Sequence, residues 1–346
     1  MIALDAMGGD FAPHVTVIGA LNAAKKGIPI TLFGDEFRIR TILDQSETQW
    51  RSLPLFIEHC SEEVAMGDEP SRSIIQKQDS SLVRAVCAVA QKKAKAVVSA
   101  GNSGAALVAA TLIIGRVNGI LRPAIGGFIP KKNGSLFCID LGANTDCKPE
   151  YLEQFALMGH LYVQLFHHKQ NPKIALLSNG AEPYKGSMAV KEAYKRLESS
   201  TLNFLGNLES RDIFDSSADV LVCDGFVGNV LLKGIQGTAK AISYWLKQEA
   251  QESWWWKLYF ALGSRVFSRL KNKMDYAKHG GALLLGVREP VIIAHGSSCE
   301  RAIEHALVFA HETVRKNVIT SFNERLMEQL NAISIKQGFQ ASGLRH

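Results

Sequence analysis

Lys185 is the residue whose type and setting best suit it to meet developing negative charge. It closes the stretch Asn179, Gly180, Ala181, Glu182, Pro183, Tyr184, Lys185, Gly186. The flanking glycines loosen the backbone, and an ammonium there can neutralise a phosphate or the oxyanion formed when a carbonyl is attacked. A solvated lysine beside a turn is the plainer reading. Asn229 ends a second cluster, Asp224, Gly225, Phe226, Val227, Gly228, Asn229. Its amide offers a neutral donor and acceptor to a reacting group, with Asp224 in support; helix capping is the competing role. The third cluster is Gly101, Asn102, Ser103, Gly104, Ala105. Helix-start amides and the Ser103 hydroxyl could surround phosphate oxygens there, with Asn102 and Gly104 shaping the turn. An ordinary strand-to-helix turn fits the same residues.

Three further groups are weaker. Asp140, Gly142, Asn144, Asp146 and Lys148 follow an apolar run, and Asn144 could orient a carbonyl or phosphate through hydrogen bonds. Cys147 lies beside them, but no local histidine is arranged to activate its thiol, which favours a structural cysteine. Asp5 and Asp10 flank the Gly8, Gly9 bend, where capping competes with a supporting role in a cleft. Two aspartates at that spacing do not define a magnesium site, and no metal is expected. His295, Gly296, Ser297 and Ser298 offer a donor after another apolar run, or a satisfied structural histidine.

The elements that must position these loops follow a repeated grammar. Short apolar runs, 2–4, 96–100, 136–141, 174–177, 220–223 and 291–294, stop at glycine, aspartate or serine, or in the last case at His295 before Gly296. Segments of helical character lie between several of them, at 83–90, 104–114, 152–166 and 187–197. This predicts a layered α/β fold in which buried parallel strands deliver their loops to one edge of a sheet. Residues 1–330 form one catalytic body, or two closely packed lobes, and 331–346 a weakly docked tail. Within the body, 253–278 stands apart. Trp255, Tyr259, Leu262 and Val266 recur at three- or four-residue spacing amid lysines and arginines, which predicts an amphipathic helical element facing either an anionic membrane or another protein surface.

Bulk properties narrow the class. The 346 residues, 47% of them hydrophobic, can bury a substantial core. A formal net charge of +6 favours acidic or phosphorylated partners. Without basic tails, interleaved aromatics or zinc-finger spacing, it makes no case for nucleic acid. The six cysteines are scattered singly, as in a reduced compartment. No run approaches the length of a spanning helix.

Taken in order along the chain, the stretches 4–10, 101–105, 140–150, 224–229, 280–286 and 295–298 resemble the bacterial phosphate acyltransferase (PlsX) family. The resemblance implies a Rossmann-like fold similar to the isocitrate and isopropylmalate dehydrogenases, with a helical membrane-facing or dimer-facing protrusion. It also implies transfer of a fatty acyl group from acyl-acyl carrier protein to inorganic phosphate, with no cofactor. The acyl phosphate would pass to a membrane glycerol-3-phosphate acyltransferase. The enzyme would be a cytoplasmic homodimer in peripheral contact with the inner face of the cell membrane. Lys185 and Asn229 would be catalytic, and Asn102, Ser103, Gly104 and Asn144 would hold phosphate. The family's usual acidic series between Gly180 and Lys185 is reduced to Glu182, and its usual threonine is Ser103. A phosphotransacetylase using coenzyme A, a nucleotide-dependent dehydrogenase and a non-catalytic carrier-binding factor are the alternatives; no Gly-x-Gly-x-x-Gly fingerprint supports the dehydrogenase.

Overall fold

The structure is a computed structural model that describes residues 1–251 and 280–343. The segment 253–278, with Trp255, Tyr259, Leu262 and Val266, lies outside the described residues for all but its place in the sequence. Eleven strands make one sheet in the order β3-β2-β1-β4-β11-β10-β5-β6-β9-β7-β8. They are β1 (Ile2–Asp5), β2 (Ile30–Gly34), β3 (Leu55–His59), β4 (Ala96–Ser99), β5 (Ala124–Pro130), β6 (Ser135–Ile139), β7 (Ile174–Ser178), β8 (Phe204–Glu209), β9 (Val220–Val222), β10 (Ala282–Leu285) and β11 (Val291–Ile293).

The central strands are apolar at all but their terminal positions because both faces of the sheet are covered. Successive side chains point to opposite faces, so each strand feeds two cores. Ile2, Leu4, Ala96, Val98, Phe137, Ile139 and Ile292 enter one. Ala3, Val97, Leu136, Cys138, Val291 and Ile293 enter the other. The first core is closed by α1 (His14–Ala24), α2 (Glu36–Ser46), α6 (Pro149–Phe166), α7 (Met188–Glu198), α9 (Glu300–Arg315) and the start of α10 (Val318–Gly343). The second is closed by α3 (Pro70–Gln76), α4 (Ser81–Ala90), α5 (Ser103–Ala109) and α8 (Gly225–Gln251). Helix α10 continues through Gly343, across the span expected to be a tail.

The sheet is mixed, which corrects the expectation of parallel strands delivering every loop to one edge. Strands β3, β2, β1, β4 and β11 are mutually parallel. The pairs β11·β10, β10·β5 and β5·β6 are antiparallel, and β6, β9, β7 and β8 then run parallel to one another in the opposite sense. Apolar runs ended by glycine look alike in either direction, because strand direction is settled by which strand supplies the hydrogen bonds. The loops after β1, β4 and β11 therefore emerge where those after β6, β7 and β9 do not. Helix α8 connects the two regions: Leu232 is buried in the second core, and Leu231 and Ile235 pack against it.

Candidate active site

Two loop clusters carry the polar residues singled out above. The first is built on the ends of β1, β4 and β11. Asp5 is 2% exposed and sits beneath it. It accepts hydrogen bonds from Ser81 Oγ at 2.6 Å and Ser99 Oγ at 2.7 Å. Burial raises its pKa, against the pull of those hydroxyls and of the Met7 and Gly8 amides. Asp5 is thus a buried brace between neighbouring strand ends. Asp10 is exposed; its backbone N–H donates to Gly296 O at 2.8 Å and so ties the first loop to the last.

Asn102 is committed within the protein. Its Oδ1 accepts from Ala105 N at 3.1 Å and caps α5. Its Nδ2 donates to Met66 O at 3.2 Å and Asp68 O at 3.0 Å. No side-chain donor is left for an anion, so the expectation that Asn102 holds phosphate gives way to a role in shaping the loop. Ser103 is partly exposed at the first turn of α5, and its hydroxyl has no protein partner among the described residues. Gly104 lets α3 approach, since a Cβ there would lie 2.8 Å from Pro70 Cγ.

His295 is exposed. The Ser297 backbone N–H donates to its Nδ1 at 3.2 Å, with Ser297 Oγ 2.9 Å from the same atom. A backbone amide can only donate, so in the neutral ring the proton resides on Nε2, which is left as a donor. Burial is the first cause lowering this pKa, followed by the charges of Lys240 and Lys233, with Asp10 opposing them.

The second cluster lies at the ends of β6 and β9. Asp140 is fully buried and gathers the loop after β6 around its carboxylate. Ala143 N donates at 2.8 Å, Asn144 N at 2.9 Å and Asn144 Nδ2 at 2.9 Å. Burial nevertheless raises its pKa to about 6. Asn144 spends its other amide proton on Pro123 O at 2.8 Å. The phosphate-holding role expected of Asn144 is therefore unsupported by its donors, both of which point into the protein.

Against this loop sits the first turn of α8. Gly225 N donates to Asn144 O at 2.7 Å. A Cβ on Gly225 would fall 2.6 Å from Asn144 N, so only glycine permits the approach. Asp224 caps the helix by accepting from Val227 N at 2.8 Å, so the capping weighed for Asn229 falls to Asp224. Asn229 is partly exposed and faces Gly142, whose φ is +142°. Its amide has no hydrogen-bond partner among the described residues. Cys147 donates to Asn144 O at 3.5 Å; burial, and then the Asp140 and Asp224 charges, push its thiol up to about 12, which removes it as a nucleophile.

Lys185 belongs to the loop after β7, the strand paired in parallel with β9. Its stem lies over Gly180, where a Cβ would meet Lys185 Cγ at 2.7 Å. Its Nζ sits 5.7 Å from the centroid of the Tyr184 ring and makes no ion pair among the described residues. Gly186 N donates to Asn179 Oδ1 at 2.9 Å, which fixes the base of the loop.

No hydrogen bond or ion pair among the described residues joins Lys185, Asn229 and the Asn102 loop directly. Two residues not singled out from the sequence relate the clusters. Lys233 and Lys240 lie about 40° and about 20° around α8 from Asn229 at 3.6 residues per turn, so all three share a stripe. Both lysines are exposed and both charges are felt at His295. The i, i+4 and i, i+11 spacing was the available signal, legible only once 225–251 is known to be a single helix.

The two clusters offer uncommitted polar groups suited to an anion at opposite edges of the sheet, on an α/β body whose fold is like that of solved phosphotransacetylases. Solved structures of like fold include a phosphotransacetylase from Streptococcus pyogenes, at 17% identity and a TM-score of 0.58, covering 91% of this chain and 94% of that one. A branched-chain phosphotransacylase from Enterococcus faecalis, at 17% identity and a TM-score of 0.52, covers 91% and 100%. These likenesses correct the expected isocitrate and isopropylmalate dehydrogenase-like body with its helical protrusion. Loop motifs report local turns, whereas strand order belongs to the whole chain; and among the described residues no helix is long and apolar enough to cross a membrane. The chain belongs to the family described as "Fatty acid synthesis protein", whose model matches residues 1–321. Its relatives include the phosphate acyltransferases of Brevibacillus brevis, 45% identical over 334 residues covering 95% of this chain and 97% of that one, and of Geotalea daltonii, 44% identical over 328 residues covering 94% of each.

Proposed function

We propose that this chain is a phosphate acyltransferase that moves a fatty acyl group from acyl-acyl carrier protein to inorganic phosphate, yielding acyl phosphate and free carrier protein. Membership of the phosphate acyltransferase family supports the reaction. The observation that carries the site is the stripe on α8: Asn229, with an uncommitted amide, shares a face with Lys233 and Lys240 beside His295.

Phosphate carries negative oxygen at neutral pH, so no strong general base is needed to create the nucleophile. A phosphate oxygen attacks the thioester carbonyl, the tetrahedral species collapses, and the C–S bond breaks as the carrier thiolate leaves and takes up a proton from water. Lys185 neutralises charge on phosphate or the oxyanion, and the Asn229 amide orients one of them. The Ser103 hydroxyl and the turn at Gly104 stand at the other sheet edge, with His295, and offer a separate anion contact there. Asn102, Asn144, Asp140 and Asp5 hold the loops in place, and Asp224 holds the start of α8. His295 presents its Nε2 proton, and Asp10 sits at the same rim.

The finer setting belongs to the same proposal. The enzyme acts as a homodimer in the cytoplasm, passes its product to a membrane glycerol-3-phosphate acyltransferase, and touches an anionic membrane surface through Trp255, Tyr259, Leu262 and Val266. The test is a reaction containing acyl-acyl carrier protein and phosphate in which acyl phosphate and free carrier thiol are measured together. Equal, phosphate-dependent appearance of both is expected. Preference for acyl-coenzyme A, or binding without phosphate consumption, would overturn the reading.

A further inference from the structure

A cavity of about 520 Å³ lies where β4 and β11 begin, between the end of α9 and the start of α10. Both strands end at the opposite side, at the Asn102 and His295 loops, and none of the cavity's lining residues belongs to either loop cluster. Its volume falls within the range of roughly 300–1,000 Å³ typical of small-molecule sites.

The charges on its wall divide into a spent pair and a free set. Lys92 is ion-paired with Glu289. Arg288 is anchored by its own backbone N–H, which donates to Gly115 O at 3.1 Å, and by Nε, which donates to Arg116 O at 3.1 Å. Neither Arg288 nor Lys95 pairs with a carboxylate among the described residues. A fixed guanidinium beside an ammonium is a setting for phosphate oxygens.

The neutral lining points to hydroxyls. Thr313 is only 3% exposed, and its hydroxyl has no protein partner among the described residues. Asn323 donates through Nδ2 to Val287 O at 3.1 Å and Arg288 O at 3.3 Å, while its Oδ1 is buried without a partner. Such an oxygen is costly to bury unless a donor reaches it, and phosphate at neutral pH brings few donors. Glu324, also on the wall, is a second acceptor and would repel a bare anion placed beside it.

We propose that this cavity binds a hydroxylated phosphate monoester of sugar-phosphate size. The phosphate is held by Arg288 and Lys95, and the hydroxyls by Thr313, the Asn323 Oδ1 and Glu324. It is a second ligand site, separate from the reacting groups, and its occupancy does not depend on the acyl-transfer reading.

Lysine-selective reductive methylation followed by mass spectrometry tests it on the full chain, with ribose 5-phosphate as probe and ribose or inorganic phosphate at equal concentration as comparisons. Ribose 5-phosphate at about ten times its dissociation constant should slow labelling of Lys95 about 10-fold. Ribose and inorganic phosphate should each give far less protection, and Lys185 should be unaffected by ribose. Arg288→Gln should weaken the protection about 10-fold or more, Arg288→Lys should restore part of it, and Asn323→Leu should weaken ribose 5-phosphate without altering the small effect of inorganic phosphate. Each variant's folding is checked by circular dichroism. Lys95 labelling that ignores ribose 5-phosphate would overturn the site. Equal protection by inorganic phosphate would overturn the sugar-phosphate assignment, as would full protection in a folded Arg288→Gln protein.

Discussion

Replacing Lys185 with methionine preserves most of the side chain's length and removes only its charge. Nothing in the fold depends on that charge: Lys185 makes no ion pair among the described residues, and the ammonium lies 5.7 Å from the Tyr184 ring centroid. Losing an exposed contact of that kind costs about 0.5–1 kcal/mol of stability. The methionine stem still covers Gly180. In the reaction, the ammonium stands against a phosphate or an oxyanion; two unit charges about 4 Å apart at an effective dielectric constant of about 20 attract by about 4 kcal/mol. Solvent at this partly exposed residue reduces that figure, and loss of one oxyanion donor commonly lowers turnover by about 10²–10³-fold. The expected result is a fall in kcat/KM of about 10²-fold or more with a change in unfolding free energy below about 1 kcal/mol. Initial rates of acyl phosphate formation at saturating carrier substrate and varied phosphate separate binding from turnover. A folded Lys185→Met enzyme with unaltered kinetics would remove Lys185 from the mechanism.

Asn102→Ala removes a helix cap and two tethers, so it should cost about 2 kcal/mol in urea unfolding while leaving the KM for phosphate nearly unchanged; a large rise in that KM at unchanged stability would return Asn102 to the anion pocket. The Asp140 carboxyl is raised to about 6, so between about pH 4 and pH 6 the folded protein keeps a proton that the unfolded chain releases. Its stabilising contribution is complete below that window and is lost as pH rises through it, by about 3 kcal/mol. The stability difference between wild type and Asp140→Asn should therefore shift by about that amount between pH 4 and pH 7, and a pH-independent difference would refute the assignment. The double change Trp255→Glu and Leu262→Glu should reduce flotation with anionic liposomes while oligomer mass and circular dichroism stay constant; normal flotation of a correctly assembled variant would count against membrane contact there.

Much of the site was legible because its signals are local. Apolar runs broken by glycine and asparagine identify strand ends whatever the strand's neighbours, and the loops at Asp5, Asn102, Asp140, Asn144, Asp224, Asn229 and His295 all follow such runs. The ordered series of these motifs also carried the family. What each side chain does within its loop was less legible. Asn102, Asn144 and Asn229 are the same residue type in similar settings, yet two spend their donors inside the protein and one does not. The difference lies in partners 20 or more residues away, Pro123 for Asn144 and Met66 and Asp68 for Asn102, and no local pattern encodes them.

The sequence by itself determined the alternation of strands and helices, the absence of a spanning segment among the described residues, and the residue types available for anion chemistry, because these depend on periodicity and composition. Tertiary structure decided strand direction across the whole sheet, since the antiparallel pairing of β10 with β5, which are distant in the chain, joins two local hairpins and sets the two halves in opposite senses. It also decided the Asn229, Lys233 and Lys240 stripe, which requires one uninterrupted helix from Gly225 to Gln251 through three glycines that helix propensity disfavours. Burial of Leu232 against the sheet, with Leu231 and Ile235 packed beside it, offsets that cost. Packing of residues far apart in the chain thus outweighs local preference, and it places Lys233 and Lys240 near enough to His295 for their charges to act on it.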